Sequence, residues 1–161
     1  MNQSERGGGG CAIEVSDLRR SYGETEAVSG VSFDVRRGEV FCLLGPNGAG
    51  KTSTVEILEG YRNRTSGEVT VLGIDPAKGS RQLREQVGIV LQACGVQQDL
   101  SVSELLEMYG RYHVRRRPVD EVLDLVELSH KRDERAKKLS GGQRRRLDLA
   151  LALVGDPELI F

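Results

Sequence analysis

Nine consecutive residues, Gly45-Pro46-Asn47-Gly48-Ala49-Gly50-Lys51-Thr52-Ser53, have the types and spacing needed to hold a polyphosphate. They read G-x-x-x-x-G-K-[ST], a phosphate-cradling loop. A triphosphate needs many donors in a small concave space. Gly45, Gly48 and Gly50 lack a Cβ, so their backbone can curl through positive φ and approach an anion closely. Successive N–H groups then form an anion nest, and the start of the following helix adds its positive dipole end. Lys51 supplies a point charge to the β- and γ-phosphates. The Thr52 hydroxyl is placed to ligate Mg²⁺.

Such a loop works only between a strand and a helix. Val40-Phe41-Cys42-Leu43-Leu44 is a short apolar run that reads as a buried parallel strand. Thr52 to Glu59 reads as a helix, closed by Gly60 in the position after the C-cap. Further upstream, Cys11 to Leu18 alternates as a first strand, Arg19 to Gly23 reads as a turn, and Val31, Phe33 and Val35 alternate as a second strand. Arg37-Gly38 turns the chain toward the loop. Tyr22 lies ahead of the loop; its ring can stack on an adenine face or be an ordinary core or surface tyrosine.

Downstream, Ser66-Gly67 reads as a turn, Val69 and Val71 as a strand, and Gly73 to Pro76 as a turn. Ser80 to Gln86 reads as a short polar helix. Val87 to Leu91 reads as a buried strand that delivers Gln92 to its C-terminal end, where open parallel sheets collect ligand groups. A glutamine there can ligate Mg²⁺ or hold a water; it can equally be a plain strand-end polar residue.

From Gly95 to Lys138 the pattern turns helical and charged. Ser101-Val102-Ser103-Glu104 is a capping box. Val102, Leu105, Leu106, Tyr109 and Tyr112 follow at helical spacing. Pro118 suits the first turn of a second helix, with Val119, Val122, Leu123 and Val126 on one face. The intervening Arg111, Arg115, Arg116 and Arg117 read as a solvated face and helix end. Leu139-Ser140-Gly141-Gly142-Gln143 opens a further helix with Leu147, Ala150, Leu151 and Val154 on its apolar side. Ser140 and Gln143 form a second capping box. Two glycines and a serine at a helix start also make an anion site. Two copies arranged head-to-tail about a two-fold axis would let each such start close the other's phosphate loop.

A chain of 161 residues suits one domain. Its 23 Lys and Arg against 24 Asp and Glu leave a net charge of −1, which argues against bulk electrostatic binding of nucleic acid. Cys11, Cys42 and Cys94 show no C-x-x-C spacing and read as reduced, mostly packed thiols, with His113 and His130 too isolated for a zinc site. No stretch approaches the length of a membrane span, and Met1 to Gly10 reads as a flexible polar lead-in rather than a signal peptide.

Together these residues resemble the ATP-binding cassette (ABC) family, the motor subunits of ABC transporters, over nearly the whole chain from Ile13 onward. Gly45 to Ser53 matches the Walker A loop, and Leu139 to Gln143 matches the LSGGQ signature. Gln92 falls where the family's Q-loop glutamine lies, 41 positions after Lys51 and 48 before Ser140. Tyr22 falls where the family's adenine-stacking aromatic lies.

The fold class this resemblance implies is α/β: a P-loop NTPase core, an N-terminal antiparallel β subdomain and an inserted helical subdomain at about 95–138, within one cassette spanning 11–161. It implies ATP and Mg²⁺ as ligands. Tyr22, the Gly45–Ser53 loop and, in trans, Ser140, Gly141, Gly142 and Gln143 would bind nucleotide. Lys51 and Gln92 would act in catalysis, and Thr52 and Gln92 would hold Mg²⁺. It implies a second cassette and a separate transmembrane permease as partners, on the cytoplasmic face of the membrane.

The stretch from Gln92 to Tyr112 resembles cassettes of drug and polyketide-antibiotic exporters. A ribosome-associated, non-transport ABC ATPase and a binding-only fragment are the alternatives. The chromosome-maintenance type would need a long coiled coil between Gln92 and Ser140, for which there is no room.

One departure from the family stands out. Asp156 to Phe161 looks like the start of the Walker B strand, and the expected Mg²⁺-ligating Asp, catalytic Glu and switch His do not follow within these residues. Asp156 and Glu158 precede the apolar run and do not replace them. The expectation is a fragment of a longer subunit that binds nucleotide without turning it over.

Overall fold

The computed structural model describes residues 10–78, 81–91 and 95–161. Gln92 and Cys94, singled out above, lie outside the described residues, as do Ser80 and the first nine positions. The chain divides into two compact units, Met1–Leu83 and Arg84–Phe161.

The first unit is built on a three-stranded antiparallel sheet of order β2-β1-β3, with β1 Cys11–Tyr22, β2 Thr25–Arg36 and β3 Ser66–Val71. Ile13 and Val15 of β1, Val35 of β2 and Val69 and Val71 of β3 are buried, as the alternation suggests, together with Ala12, Leu18 and Val28; Val31 and Phe33 are only half-buried. The hairpin is longer than expected. Arg19 to Tyr22 continue β1, and the chain reverses only at Gly23-Glu24, with Tyr22 opposite Thr25. Cross-strand pairing overrides the polar composition of Arg19-Arg20-Ser21: Arg19 also forms ion pairs with Asp17 at 2.9 Å and Glu26 at 3.2 Å. Ser66-Gly67 likewise belongs to β3 rather than to a turn. Gly67, at φ +89°, lies against the Asp17 backbone where the β1–β3 register slips, a place with no room for a side chain.

Residues 40–44 differ most from expectation. They form no strand and pair with none among the described residues, and Val40 and Leu44 are 93% and 86% exposed. Phe41 stacks on Phe33 of β2 with ring centroids 5.0 Å apart. Cys42, read as packed, is exposed. An apolar run favours a parallel strand only where neighbours complete its ladder and cover both faces.

Helix α1, Lys51–Leu58, follows the glycine loop and buries Thr54, Ile57 and Leu58. Its end is a full Schellman motif: the Gly60 N–H donates to the Ile57 carbonyl, the Tyr61 N–H to the Glu56 carbonyl, and Gly60 has φ +79°. The short helix α2, Arg81–Gln86, crosses the division between the units.

The second unit holds a helical core. Helices α3 (Val102–Gly110), α4 (Val119–Leu125) and α5 (Gly141–Leu153) pack Val102, Leu105, Leu106, Val122, Leu123, Val126, Leu128, Leu139, Leu147, Ala150 and Val154 into one cluster. Each fully buried leucine contributes about 1.5–3 kcal/mol. This core does not stop at residue 138, because the apolar face of α5 completes it. Pro118 is the N-cap of α4 rather than part of its first turn. Tyr112 falls past the end of α3 and is 77% exposed. Two short parallel strands, β4 Val87–Gly88 and β5 Leu159–Ile160, lie in the same unit. The expected strand through Leu91 is thus short. Beyond Gly88 one further bond, from the Val90 N–H to the Phe161 carbonyl at 2.9 Å, continues the pairing.

Candidate nucleotide site

The loop Gly45–Gly50 is shaped by its glycines. Gly48 has φ +83° and Gly50 φ +78°, and Gly50 is the left-handed N-cap of α1. A Cβ at Gly50 would overlap the Ala27 carbonyl and lie 2.9 Å from Val28 Cγ2. Strand β2 therefore supports the loop from beneath, at a point where only glycine fits. The Lys51 ammonium folds back over the loop, donating to the Gly45 carbonyl at 2.8 Å and to the Pro46 carbonyl at 2.6 Å. The ammonium thus stands over the turn that successive glycines hold open. No side chain caps α1, so the helix start offers its unpaired N–H groups and positive dipole end to an anion.

Residues 45–49 and Thr52 are exposed, and Lys51 and Ser53 are half-buried. Thr52 lies in the first turn of α1. Among the described residues no group of three or more His, Cys, Asp or Glu could hold a metal ion. A hydroxyl in the Thr52 position fits a Mg²⁺ ion held mainly by the oxygens of a bound polyphosphate.

Tyr22 belongs to the same unit. Its hydroxyl is 3.3 Å from Ser53 Oγ, so the end of β1 is tied to the first turn of α1. The Arg20 guanidinium lies 4.4 Å from the ring centroid and that of Arg62 lies 5.8 Å from it. The Ser53 hydrogen bond, and after it Arg20, lowers the phenol pKa below its ordinary value. Sequence reasoning names Tyr22 and passes over Arg20 and Arg62. The available signal is the two-residue step from Arg20 to Tyr22, which places both on one face of a strand.

The glycine-serine helix start lies in the second unit. Ser140 is the N-cap of α5: its hydroxyl accepts from the Gln143 N–H at 3.3 Å, and the Ser140 N–H donates to Gln143 Oε1 at 2.9 Å. Gly141 and Gly142 are exposed with open space where a Cβ would go. Neither glycine is needed for packing or for a special backbone angle, so both stand open beside the Ser140–Gln143 capping box.

The arginine run is not simply solvated. Arg115 and Arg117 each pair with Asp156 at 2.9 Å, Arg117 also pairs with Glu121 at 2.8 Å, and the Arg117 N–H donates to the Val154 carbonyl.

A glycine loop closed by lysine at a helix start, beside an antiparallel sheet, defines a P-loop nucleotide-binding protein of the cassette kind. The chain belongs to the ABC transporter family, whose model matches residues 28–161. It is 40% identical over 155 residues to a Nod factor export ATP-binding protein I from Rhizobium meliloti (strain 1021), covering 93% of this chain and 46% of that protein. It is 42% identical over 155 residues to the protein of the same name from Paraburkholderia xenovorans, covering 93% and 51%. The chain thus spans about half the length of these relatives.

Among solved structures it resembles cbiO1 from Clostridium perfringens, described as part of the ABC transporter complex cbiONQ. That match has a TM-score of 0.81 and 29% identity over 93% of this chain and 64% of that one. An ATP-binding cassette of an ABC transporter in its ADP conformation matches with a TM-score of 0.78 at 23% identity, over 93% and 67% of the two chains, and shows the shared fold.

Proposed function

We propose that this chain is the nucleotide-binding part of an ABC transporter ATP-binding subunit, taking up MgATP at Gly45–Ser53. The carrying observation is the Lys51 ammonium held over a loop whose φ values at Gly48 and Gly50 only glycine adopts readily. Bound Mg²⁺ would neutralise charge between the β- and γ-phosphates. Lys51 would exchange its two carbonyl partners for phosphate oxygens, Thr52 would reach the metal, and Tyr22 would offer its ring to the base. Gln92 is proposed as a further Mg²⁺ or water contact on family resemblance alone.

Ser140 to Gln143 are proposed to complete the phosphate site of a second copy. The support is that Gly141 and Gly142 are open at a helix start. In the whole protein, closure of such a dimer and hydrolysis would drive export of a small molecule through a separate permease, with the cassette held at the inner membrane face by that partner. No described helix is long and apolar enough to cross a membrane, which suits a peripheral role. Relatives named for Nod factor export support an exporter; the drug or antibiotic cargo expected from 92–112 is not the one in their names. Asp156 is committed to Arg115 and Arg117 and precedes β5. It is thus not proposed as a water-polarising carboxylate.

The test is equilibrium binding of ATP with Mg²⁺ by calorimetry. Lys51→Ala should weaken affinity by roughly 10- to 100-fold, the loss of one charged hydrogen-bonding group. Unchanged affinity would overturn the reading.

A further inference from the structure

We infer that Arg20 is a positioning residue for base recognition, fixing the Tyr22 ring as a platform for the purine of a bound nucleotide. This rests on the nucleotide reading above and names a residue that it does not use.

Several observations carry it. The Arg20 guanidinium lies 4.4 Å from the Tyr22 ring centroid, within cation–π range. Arg20 makes no ion pair among the described residues, unlike Arg62, which is bound to Glu56. Its Nε is buried without a hydrogen-bond partner, so the head group is held by the ring and not by a carboxylate. The opposite end of the phenol is tied to Ser53 in the first turn of α1. With Arg20 and, farther off, Arg62 over the ring and the hydroxyl tied to Ser53, the ring has little freedom left, yet Tyr22 remains 38% exposed.

The supports of platform and loop coincide. Arg20 pairs across the hairpin with Val28, and Val28 touches the place where Gly50 admits no side chain. The end of β1 therefore sets the ring at a defined place relative to the phosphate loop. A nucleotide has its base a ribose away from its phosphates, so a ring anchored to Ser53 is placed to meet the base while Lys51 meets the phosphates. A ring fixed in advance binds a base more tightly, because less freedom is lost on stacking. A flat guanidinium does this better than an ammonium.

The test compares ATP with inorganic tripolyphosphate, which has no base, in calorimetric titrations of the full chain with Mg²⁺. Arg20→Gln should weaken ATP binding about three- to tenfold, the range of one cation–π contact and part of a stacking contact. It should leave tripolyphosphate binding unchanged, which also shows that the variant is folded. Arg20→Lys should recover part of the loss. In a Tyr22→Ala background, Arg20→Gln should cost nothing further. Equal losses for ATP and tripolyphosphate, an undiminished loss in the Tyr22→Ala background, or no loss would each overturn the inference. Failure of the unaltered chain to bind either probe would instead sink the nucleotide reading, and this inference with it.

Discussion

Gly50 lies so close to the Ala27 carbonyl that no side chain fits between the phosphate loop and strand β2. Gly50→Ala would carry two costs. The left-handed backbone at φ +78° disfavours any L residue by about 1–2 kcal/mol, and the overlap with Ala27 adds about 1–3 kcal/mol. Gly48 has a similar φ of +83°, but nothing lies within 4 Å of where a methyl group would stand. Gly48→Ala should therefore cost only about 1–2 kcal/mol. Urea denaturation of the two variants should separate them, with Gly50→Ala clearly the less stable. Equal midpoints would mean that β2 does not support the loop.

The start of α5 allows stability and association to be separated. Ser140→Ala removes the hydroxyl that accepts from the Gln143 N–H, and should cost about 1 kcal/mol. Gly142→Ala should do the reverse, stabilising the helix by up to about 1 kcal/mol, because the position is exposed and sterically open. If this helix start closes a second copy's phosphate loop, Gly142→Ala should also reduce ATP-dependent dimerisation in sedimentation experiments. A variant that is more stable and dimerises as well as the parent would remove the functional reason for the glycine.

Much of this is legible in the residues themselves. Gly60 closes α1 where its type and place suggest, and both capping boxes form, because these are local events decided within four residues. Residues 40–44 depart from a strand reading because strand formation depends on partners that an apolar run does not specify. Arg19 to Tyr22 depart from a turn reading because ladder pairing with β2 outweighs a polar composition. The contacts of Asp156 with Arg115 and Arg117 join positions about 40 apart in sequence, and spacing alone carries no sign of them.

The pair Arg64–Asp75 should make the first unit sensitive to acid. It is bidentate, at 2.7 and 3.0 Å, and half-buried, and Asp75 also accepts from the Ala77 N–H at 3.0 Å. The Arg64 hydrogen bonds, with the Ala77 N–H helping against the cost of burial, hold the Asp75 carboxyl below its ordinary value. A carboxyl depressed in the folded state adds stability above its unfolded pKa, near 4, and loses it as pH falls through the folded value. Asp75→Asn should lower stability at pH 7 by about 1–2 kcal/mol. Its deficit relative to the parent should shrink as the pH falls below about 4. Thermal melts across that range would show this; a deficit independent of pH would assign the effect to packing.

Asp156 fastens the approach to β5. It has φ +51°, and Arg115 and Arg117 converge on its two carboxylate oxygens at 2.9 Å. The preceding Gly155 lies against the His113 ring, where a Cβ would be 2.5 Å from Nδ1. Residues 113–117 thus strap residues 154–156 in place by one backbone bond, two ion pairs and a ring contact. Asn tolerates the left-handed region, so Asp156→Asn isolates the charge from the backbone strain. It should cost about 1 kcal/mol, since both arginines are partly solvated, and the loss should be smaller in high salt. Asp156→Ala should cost about 1 kcal/mol more, because alanine lacks asparagine's tolerance of that backbone angle. If Asp156→Asn were as harmful as Asp156→Ala and neither loss changed with salt, neither the backbone angle nor simple charge pairing would explain this aspartate. The strap would then depend on the geometry of the carboxylate hydrogen bonds themselves.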